Sequence, residues 1–374
     1  MKIILGLTGS VASILHQKLA EQLQTIGEVN VIRTHSAKSF VDHAELCKLL
    51  ADKGGRMYED HDEWGWLENL KAGGRMDKWK KGNDVLHITL CDQTSVLVIA
   101  PCSANTLAKL ANGICDNLLT CVARAWDLNR PIIIVPAMNT NMWNHPVTKE
   151  HIKKLQSWGY IIVPPQSKML ACRTEGMGAM ADIDEIVNVT KESLRWTFPC
   201  HEPFFQKKST CKGIPDIGHP GAFATKRKHS IHTGVDLYVP KKSAVHTVEP
   251  GRIVCIEQFT GANERTPWWL DTDCILVEGA SGVVCYGEIE PTYGLKVGDK
   301  VKRDQYIGCV LPVLPDSKFR PDIEGHSVSM LHMELYPHGR YTPSDGFEKD
   351  KNDLRDPTPF LVNAINAPTK RFKP

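Results

Sequence analysis

Three short turns carry hydroxyl and glycine residues of the kind that hold a phosphate: Thr8-Gly9-Ser10-Val11-Ala12, Thr34-His35-Ser36 and Ser103-Ala104-Asn105-Thr106. A turn of small residues entering a helix exposes backbone N–H groups, which suit an anion. Each turn follows an apolar run, so together they favour a mononucleotide site; there is no GxGxxG, and a dinucleotide is not favoured. A single thiol, Cys172, heads ACRTEGMGAMAD (171–182), a glycine-punctuated stretch with the pattern of neither strand nor helix and the texture of a flap. His87 lies in the apolar segment VLHITL, read as a strand, where a lone imidazole is ordinarily a satisfied core residue. In the second half, His232 precedes Asp236 by four residues, and His332 follows far downstream in LHME. Two imidazoles and one carboxylate suffice to hold Zn²⁺ with a fourth position left open.

The elements that must position these residues change character along the chain. In the first half, KIILGLT (2–8), VNVIRT (29–34), SVLVIAP (95–101), PIIIVPA (131–137) and YIIVPP (160–165) read as strands, with helical stretches such as 12–27 between them. Strands this uniformly apolar are buried on both faces, the signature of a parallel sheet covered by helices. The expected fold is therefore α/β, a doubly wound parallel sheet of flavodoxin or Rossmann type, in which ligands bind beyond the carboxyl ends of the strands. From about residue 198 the helical period fades and short alternating segments appear, among them GRIVCIEQ, DCILVEG, GVVCYGEI and SMLHMELY. That is an all-β pattern. The expected organisation is a first domain over 1–197, a linker over 198–224 and a smaller β domain over 225–374. A length of 374 residues agrees, since it exceeds the usual size of one hydrophobic core.

Composition narrows the partners. With 45 Lys and Arg against 43 Asp and Glu, the formal charge is +2, too small for a broad nucleic-acid footprint. The run Lys226-Arg227-Lys228 reads as a solvated linker. No apolar run is long enough to span a bilayer, and the opening MKIILGLTGSVAS reads better as a buried strand and turn than as a signal peptide. The twelve cysteines form no CxxC pair, and a cytoplasmic location with reduced thiols is expected. Trp64, Trp66 and Trp79 fall in a Gly- and Lys-rich stretch (53–83), expected to be a mobile segment near the site.

Gly9 to Ala12, PCSANT (101–106), ICDNLLT (114–120), ARAWD (123–127), PAMNTNMW (136–143) and ACRTEGMGAMAD resemble, in order and spacing, the flavin-dependent cysteine decarboxylases, and within them the phosphopantothenoylcysteine decarboxylases. The resemblance covers residues 1–195. It implies FMN as cofactor, a homotrimer with active sites at subunit contacts, and conversion of 4′-phosphopantothenoylcysteine to 4′-phosphopantetheine in coenzyme A synthesis. It also implies that Gly9, Ser10, Val11, Ala12, Thr34, Ser36, Ser103, Ala104, Asn105, Thr106 and Ala137 line the FMN site. By the same resemblance His87 is the base, Asn139 and Met142 hold the substrate, and Cys172 returns a proton. Arg173-Thr174 stand where the family has Gly-Asp. A non-enzymatic regulatory or structural flavoprotein, or a peptidyl-cysteine decarboxylase, is the alternative.

Around His232 and Asp236, the segments PGRIV (250–254), GLKVGDKVKRDQYIG (294–308) and LHMEL (331–335) resemble the M23 zinc metallopeptidases, and LPVLP and DPTPFL the leukocyte cell-derived chemotaxins. The resemblance implies Zn²⁺ on His232, Asp236 and His332. The peptidases carry two further histidines, at the positions of Met330 and Glu288. Their replacement implies a zinc-stapled module that binds a protein or glycan ligand, not a hydrolase.

Overall fold

A computed structural model describes residues 1–63, 85–169, 175–200, 213–227, 231–264, 266, 268–314, 329–343 and 354–366. The chain divides into two compact units, Met1–Leu194 and Arg195–Pro374. Among the described residues no helix is long and apolar enough to cross a membrane. The apolar-rich runs become strands β1 (Lys2–Leu7), β2 (Glu28–Arg33), β4 (Val96–Cys102), β5 (Ile132–Pro136) and β6 (Ile161–Ile162), with β3 (Met57–Tyr58) at one edge. All pair in parallel, in the order β3-β2-β1-β4-β5-β6. The order reverses between β1 and β4, so the turns after these two strands open on one crevice at the sheet's carboxyl edge.

Helices cover the sheet because their apolar positions recur with helical period. Leu107, Leu110 and Ala111 of α4 (Ala104–Asn112), and Leu118, Leu119 and Val122 of α5 (Leu118–Ala125), pack with Ile4, Leu97 and Ile99 of the strands. The N-terminal stretch expected as one helix over 12–27 is instead a 3₁₀ turn, Val11–Leu15, followed by α1 (His16–Leu23). Ser13 explains the tight turn: its Oγ donates to the Thr8 carbonyl at 2.7 Å and draws the chain back onto the end of β1. His87 corrects a second expectation. VLHITL is not a strand: α3 spans Leu86–Gln93, with α2 (His43–Ala51) preceding it in the chain. The flap corrects a third. Glu175–Ala179 forms β8, paired antiparallel with β7 (Gln166–Met169).

The glycines of this hairpin serve close approach, where flap mobility had been expected. A Cβ on Gly178, which has φ +137°, would sit 2.2 Å from the Met138 carbonyl oxygen, and one on Gly176 would sit 2.3 Å from Thr140 Oγ1. The Gly178 carbonyl then accepts from the Met138 N–H at 2.9 Å. Helix α8 (Ile183–Leu194) ends the unit.

The second unit is antiparallel, with β10 (Ala244–His246), β15 (Tyr306–Val310), β13 (Val283–Pro291), β12 (Thr272–Gly279), β11 (Gly251–Thr260) and β14 (Lys300–Val301) side by side. Strand β16 (Met330–Tyr336) joins β13 to β9 (Val235–Tyr238). Period-two alternation sorts its side chains: Leu331, Met333 and Leu335 enter the main core, whereas His332, Glu334 and Tyr336 lie on the other face of the sheet. Residues 195–197, expected with the first domain, belong here. Trp196 is fully buried in this core, stacks on Phe360 at 4.8 Å and donates to Ser281 Oγ at 3.2 Å. Ile214, Ala222 and Phe223, expected in a linker, are buried or packed against apolar neighbours as well.

Glu249 is buried against Ser281, whose backbone N–H and hydroxyl both donate to it. Burial pushes this carboxyl up to about 7 despite those bonds. Between about 4.5 and 7 the unfolded chain has released a proton that the folded chain keeps, so stability falls as pH rises through that window. Glu249→Gln keeps an acceptor and removes the titration. Its melting temperature should vary less with pH than wild type from pH 5 to 8, and parallel pH profiles would refute the assignment. In the first unit, buried Thr8 donates to the Pro101 carbonyl at 2.7 Å and accepts from the Ser103 N–H at 2.9 Å. Thr8→Val strands both partners and should cost about 1–3 kcal/mol in denaturant unfolding.

Candidate functional site

The crevice at the strand-order reversal holds a cavity of about 340 Å³. Its walls include Gly9 after β1, Thr34, His35 and Ser36 after β2, and Ser103 to Thr106 after β4. These are the three turns singled out by composition, and the sheet brings them together. Thr8 clasps the first to the third through Pro101 and Ser103, and Thr34 Oγ1 donates to the Leu7 carbonyl at 3.1 Å, tying in the second. Ser103 caps α4, its Oγ accepting from the Thr106 N–H. The first-turn N–H groups of Ala104 and Asn105 have no acceptor within the helix, which gives the cavity the donors and dipole that an anion requires.

Gly9 sets the width of the crevice: a Cβ there would meet Ser36 Cβ at 2.5 Å, so only glycine lets the two turns approach. Asp60, Lys109, Asp116 and Asn117 line the polar rim, and Met142, 49% exposed, closes one side. Lys109 is held by Asp116 at 2.7 Å. Among the described residues this cavity wall does not include Ser10, Val11, Ala12, Ala137, His87 or Asn139. Ser10 nevertheless reaches Ala137, donating to its carbonyl at 3.2 Å. Val11 and Ala12 lie in the 3₁₀ turn, with Val11, Ile14 and Leu15 exposed.

Asn139 caps the short helix α6 (Thr140–Asn144), its Oδ1 accepting from the Asn141 N–H at 2.9 Å. Helix α7 (Pro146–Ser157) follows, and Thr148 donates to the Met142 carbonyl at 2.6 Å, fixing the turn that carries Met142. His87 sits in the first turn of α3 with Nδ1 2.7 Å from Glu63 Oε1. Glu63 was not singled out in the sequence. It is the last residue of the acidic run EDHDE, which has no motif of its own. Cys172 and Arg173 lie outside the described residues, as does most of the tryptophan-bearing stretch before His87.

In the β unit, His232, Asp236 and His332 converge as expected, and all three are buried. Register explains the meeting: Asp236 on β9 is the cross-strand partner of His332 on β16, and His232 stands four residues ahead of Asp236. Three donor atoms face one point. His232 Nε2 and Asp236 Oδ1 are 3.0 Å apart, His332 Nδ1 and Asp236 Oδ1 2.8 Å, and His232 Nε2 and His332 Nδ1 3.3 Å. A tetrahedral ion with bonds of about 2.0–2.2 Å needs ligand atoms roughly 3.3–3.6 Å apart, and the triangle comes within a few tenths of an ångström of it. Each outer atom has its own partner: Ala222 O for His232 Nδ1 at 3.0 Å, Glu334 for His332 Nε2 at 3.3 Å, and Arg227 for Asp236 Oδ2 at 2.8 Å. Such partners fix the orientation of metal-binding imidazoles. A Cβ on Gly234 would come within 2.9 Å of the His332 ring, so glycine is required beside it.

The charges of this cluster are tightly linked. Burial opposes a charged His332, yet Asp236 and Glu334 push its imidazole up to about 10. Burial likewise works against an ionised Asp236, and the His232 and His332 rings hold it well below the usual carboxylate range. Glu288 is the feature that sequence reasoning missed in part. Its sequence position marks it only as a replacement for a histidine, but it is buried, stands at φ +63° and has an Oε2 without a hydrogen-bond partner among the described residues. Burial, then the Asp236 charge, push its carboxyl up to about 8.

The model of a family described as Flavoprotein matches residues 1–195. A phosphopantothenoylcysteine decarboxylase of Mus musculus is 42% identical over 189 residues, 50% of this chain and 83% of the mouse protein. A phosphopantothenoylcysteine decarboxylase HAL3 of Malus domestica is 40% identical over 191 residues, 51% of this chain and 81% of that protein. Among solved structures, the FMN binding protein AtHal3 is 40% identical, with a TM-score of 0.44 over 51% of this chain and 95% of its own. Through residues 1–195, in which the three converging turns lie, this chain belongs to the Flavoprotein family.

Proposed function

We propose that the first unit is an FMN-dependent decarboxylase of 4′-phosphopantothenoylcysteine, forming 4′-phosphopantetheine. The observation that carries this reading is the cavity at the strand-order reversal, walled by Gly9, Ser36 and the N-terminus of α4. The names of the mouse and apple relatives supply the substrate. The cavity suits FMN: its uncapped N–H donors and dipole match a phosphate, and a side chain at Gly9 would close it. Gly9 to Ala12, Thr34, Ser36, Ser103 to Thr106 and Ala137 hold the cofactor. Bound FMN supplies a two-electron oxidation of the substrate thiol to a thioaldehyde, the sink for the electron pair left by CO₂, and later returns those electrons.

The residues of the chain do the rest. His87 takes the thiol proton. Asn139, with Oδ1 engaged by the Asn141 N–H, meets the substrate carboxylate with its Nδ2 hydrogens. A neutral amide orients that carboxylate without stabilising it so strongly that CO₂ cannot leave. Met142 packs on the substrate, and Cys172 returns a proton after decarboxylation. The exposed Val11, Ile14, Leu15 and Met142 support assembly as a trimer in which neighbouring subunits complete each site.

The β unit holds Zn²⁺ through His232 Nε2, Asp236 Oδ1 and His332 Nδ1. The support is the mutual spacing of 2.8–3.3 Å and the partner behind each ligand. With Met330 and Glu288 where M23 peptidases carry histidines, it serves as a zinc-stapled binding module for a protein or glycan.

Two experiments test the two sites independently. His87→Asn should purify yellow, with a wild-type flavin spectrum, and release CO₂ from the substrate at least about 100-fold more slowly; full turnover would refute the base. Chelator-stripped wild-type protein should take up one zinc per chain and melt higher, and His232→Ala should do neither. Because the ion must displace the proton that Asp236 and Glu334 hold on His332, zinc affinity should fall as pH is lowered. Zinc-independent melting would remove the metal from the proposal.

A further inference from the structure

His87 does not stand alone. Glu63, whose side chain is 3% exposed against 22% for His87, meets it twice: Oε1 lies 2.7 Å from the ring Nδ1, and Oε2 accepts from the His87 backbone N–H at 2.9 Å. The second contact caps the first turn of α3. The first fixes the ring, since a carboxylate offers only acceptors and the imidazole must present Nδ1–H to it. The turn that carries Glu63 is itself anchored. Glu59 receives the Arg33 Nε–H from the end of β2 at 2.7 Å, Asp62 accepts from the Glu59 N–H at 2.7 Å, and Asp60 accepts from the Leu118 N–H at the start of α5 at 2.9 Å. Asp60 also lines the cavity. One acidic turn therefore ties the imidazole, a cavity wall and two helix starts into a single rigid piece.

We infer that Glu63 is the positioning residue for His87. It keeps the imidazole proton on Nδ1, so that Nε2 is the basic nitrogen. When the substrate S–H breaks, sulfur keeps the electron pair, Nε2 gains the proton, and the resulting imidazolium faces the Glu63 carboxylate, which offsets its charge. The inference rests on the decarboxylase reading above. Nothing in the sequence pairs the two residues, because the tryptophan-bearing segment separates them.

The test uses the flavin-loaded full chain labelled with ¹⁵N-histidine. Wild type should show His87 with its proton on Nδ1. Glu63→Gln can still accept from the backbone N–H but cannot balance an imidazolium; it should retain flavin, show a mixed or reversed His87 tautomer, and lose kcat about 10- to 100-fold with KM little changed, the range for losing an orienting partner. Glu63→Asp keeps the charge on a shorter arm and should preserve the Nδ1–H tautomer and recover part of kcat, which guards against a Gln variant that folds poorly. A wild-type His87 protonated on Nε2 overturns the inference, as does a Glu63→Gln variant with unchanged tautomer and kcat. A wild-type protein that never releases CO₂ sinks the decarboxylase reading instead, while the ring signature still reports whether Glu63 holds His87.

Discussion

The constraint on which the first unit depends is burial of a parallel sheet on both faces. With helices covering each side, the strands are mainly apolar, and the hydroxyl and glycine residues suited to an anion fall in the turns at the strand ends. Parallel pairing sends all those turns out at the same edge. Where the strand order reverses between β1 and β4, the helices diverge and leave a crevice. Thr8 joins its two sides: by bonding Pro101 and Ser103 it locks the end of β1 to the end of β4, and Gly9 lies against Ser36. Anion-binding groups gather there because the start of α4 opens on the crevice, with its first-turn N–H donors uncovered.

The β unit solves a different problem. It must bury charged groups within a sheet, and isolated burial of a carboxylate or an imidazolium is costly. Antiparallel register places Asp236 opposite His332, and alternation keeps both out of the apolar face occupied by Leu331, Met333 and Leu335. The charges then compensate one another: Asp236 lies between two imidazoles, with Arg227 on its other oxygen and Glu334 behind His332. The proposed zinc site suits that balance, because a cation there would take the place of protons the cluster already attracts.

Both clusters join side chains from separate elements. His87 belongs to α3 and Glu63 to an acidic turn before it, while His332 belongs to β16 and His232 to the loop ahead of β9. Helix starts and strand registers are rigid, so side chains held this way keep their geometry without a bound ligand.

Local pattern along the chain dictated the strands, because continuous apolar runs and period-two alternation are signals that burial converts directly into structure. It also determined the three hydroxyl turns and the His232, Asp236 and His332 set, whose residue types announce their chemistry. It was misleading where local pattern and tertiary context differ. VLHITL is apolar enough for a strand, but Glu63 caps it into a helix; the hairpin glycines resemble hinges, but Met138 and Thr140 pack where their side chains would be. That Glu63 meets His87, and that Glu288 stands buried with a left-handed backbone beside the histidine cluster, is a matter of tertiary contacts. Those facts depend on contacts between residues far apart in the chain, and no periodicity or spacing encodes which distant carboxylate will meet a given imidazole.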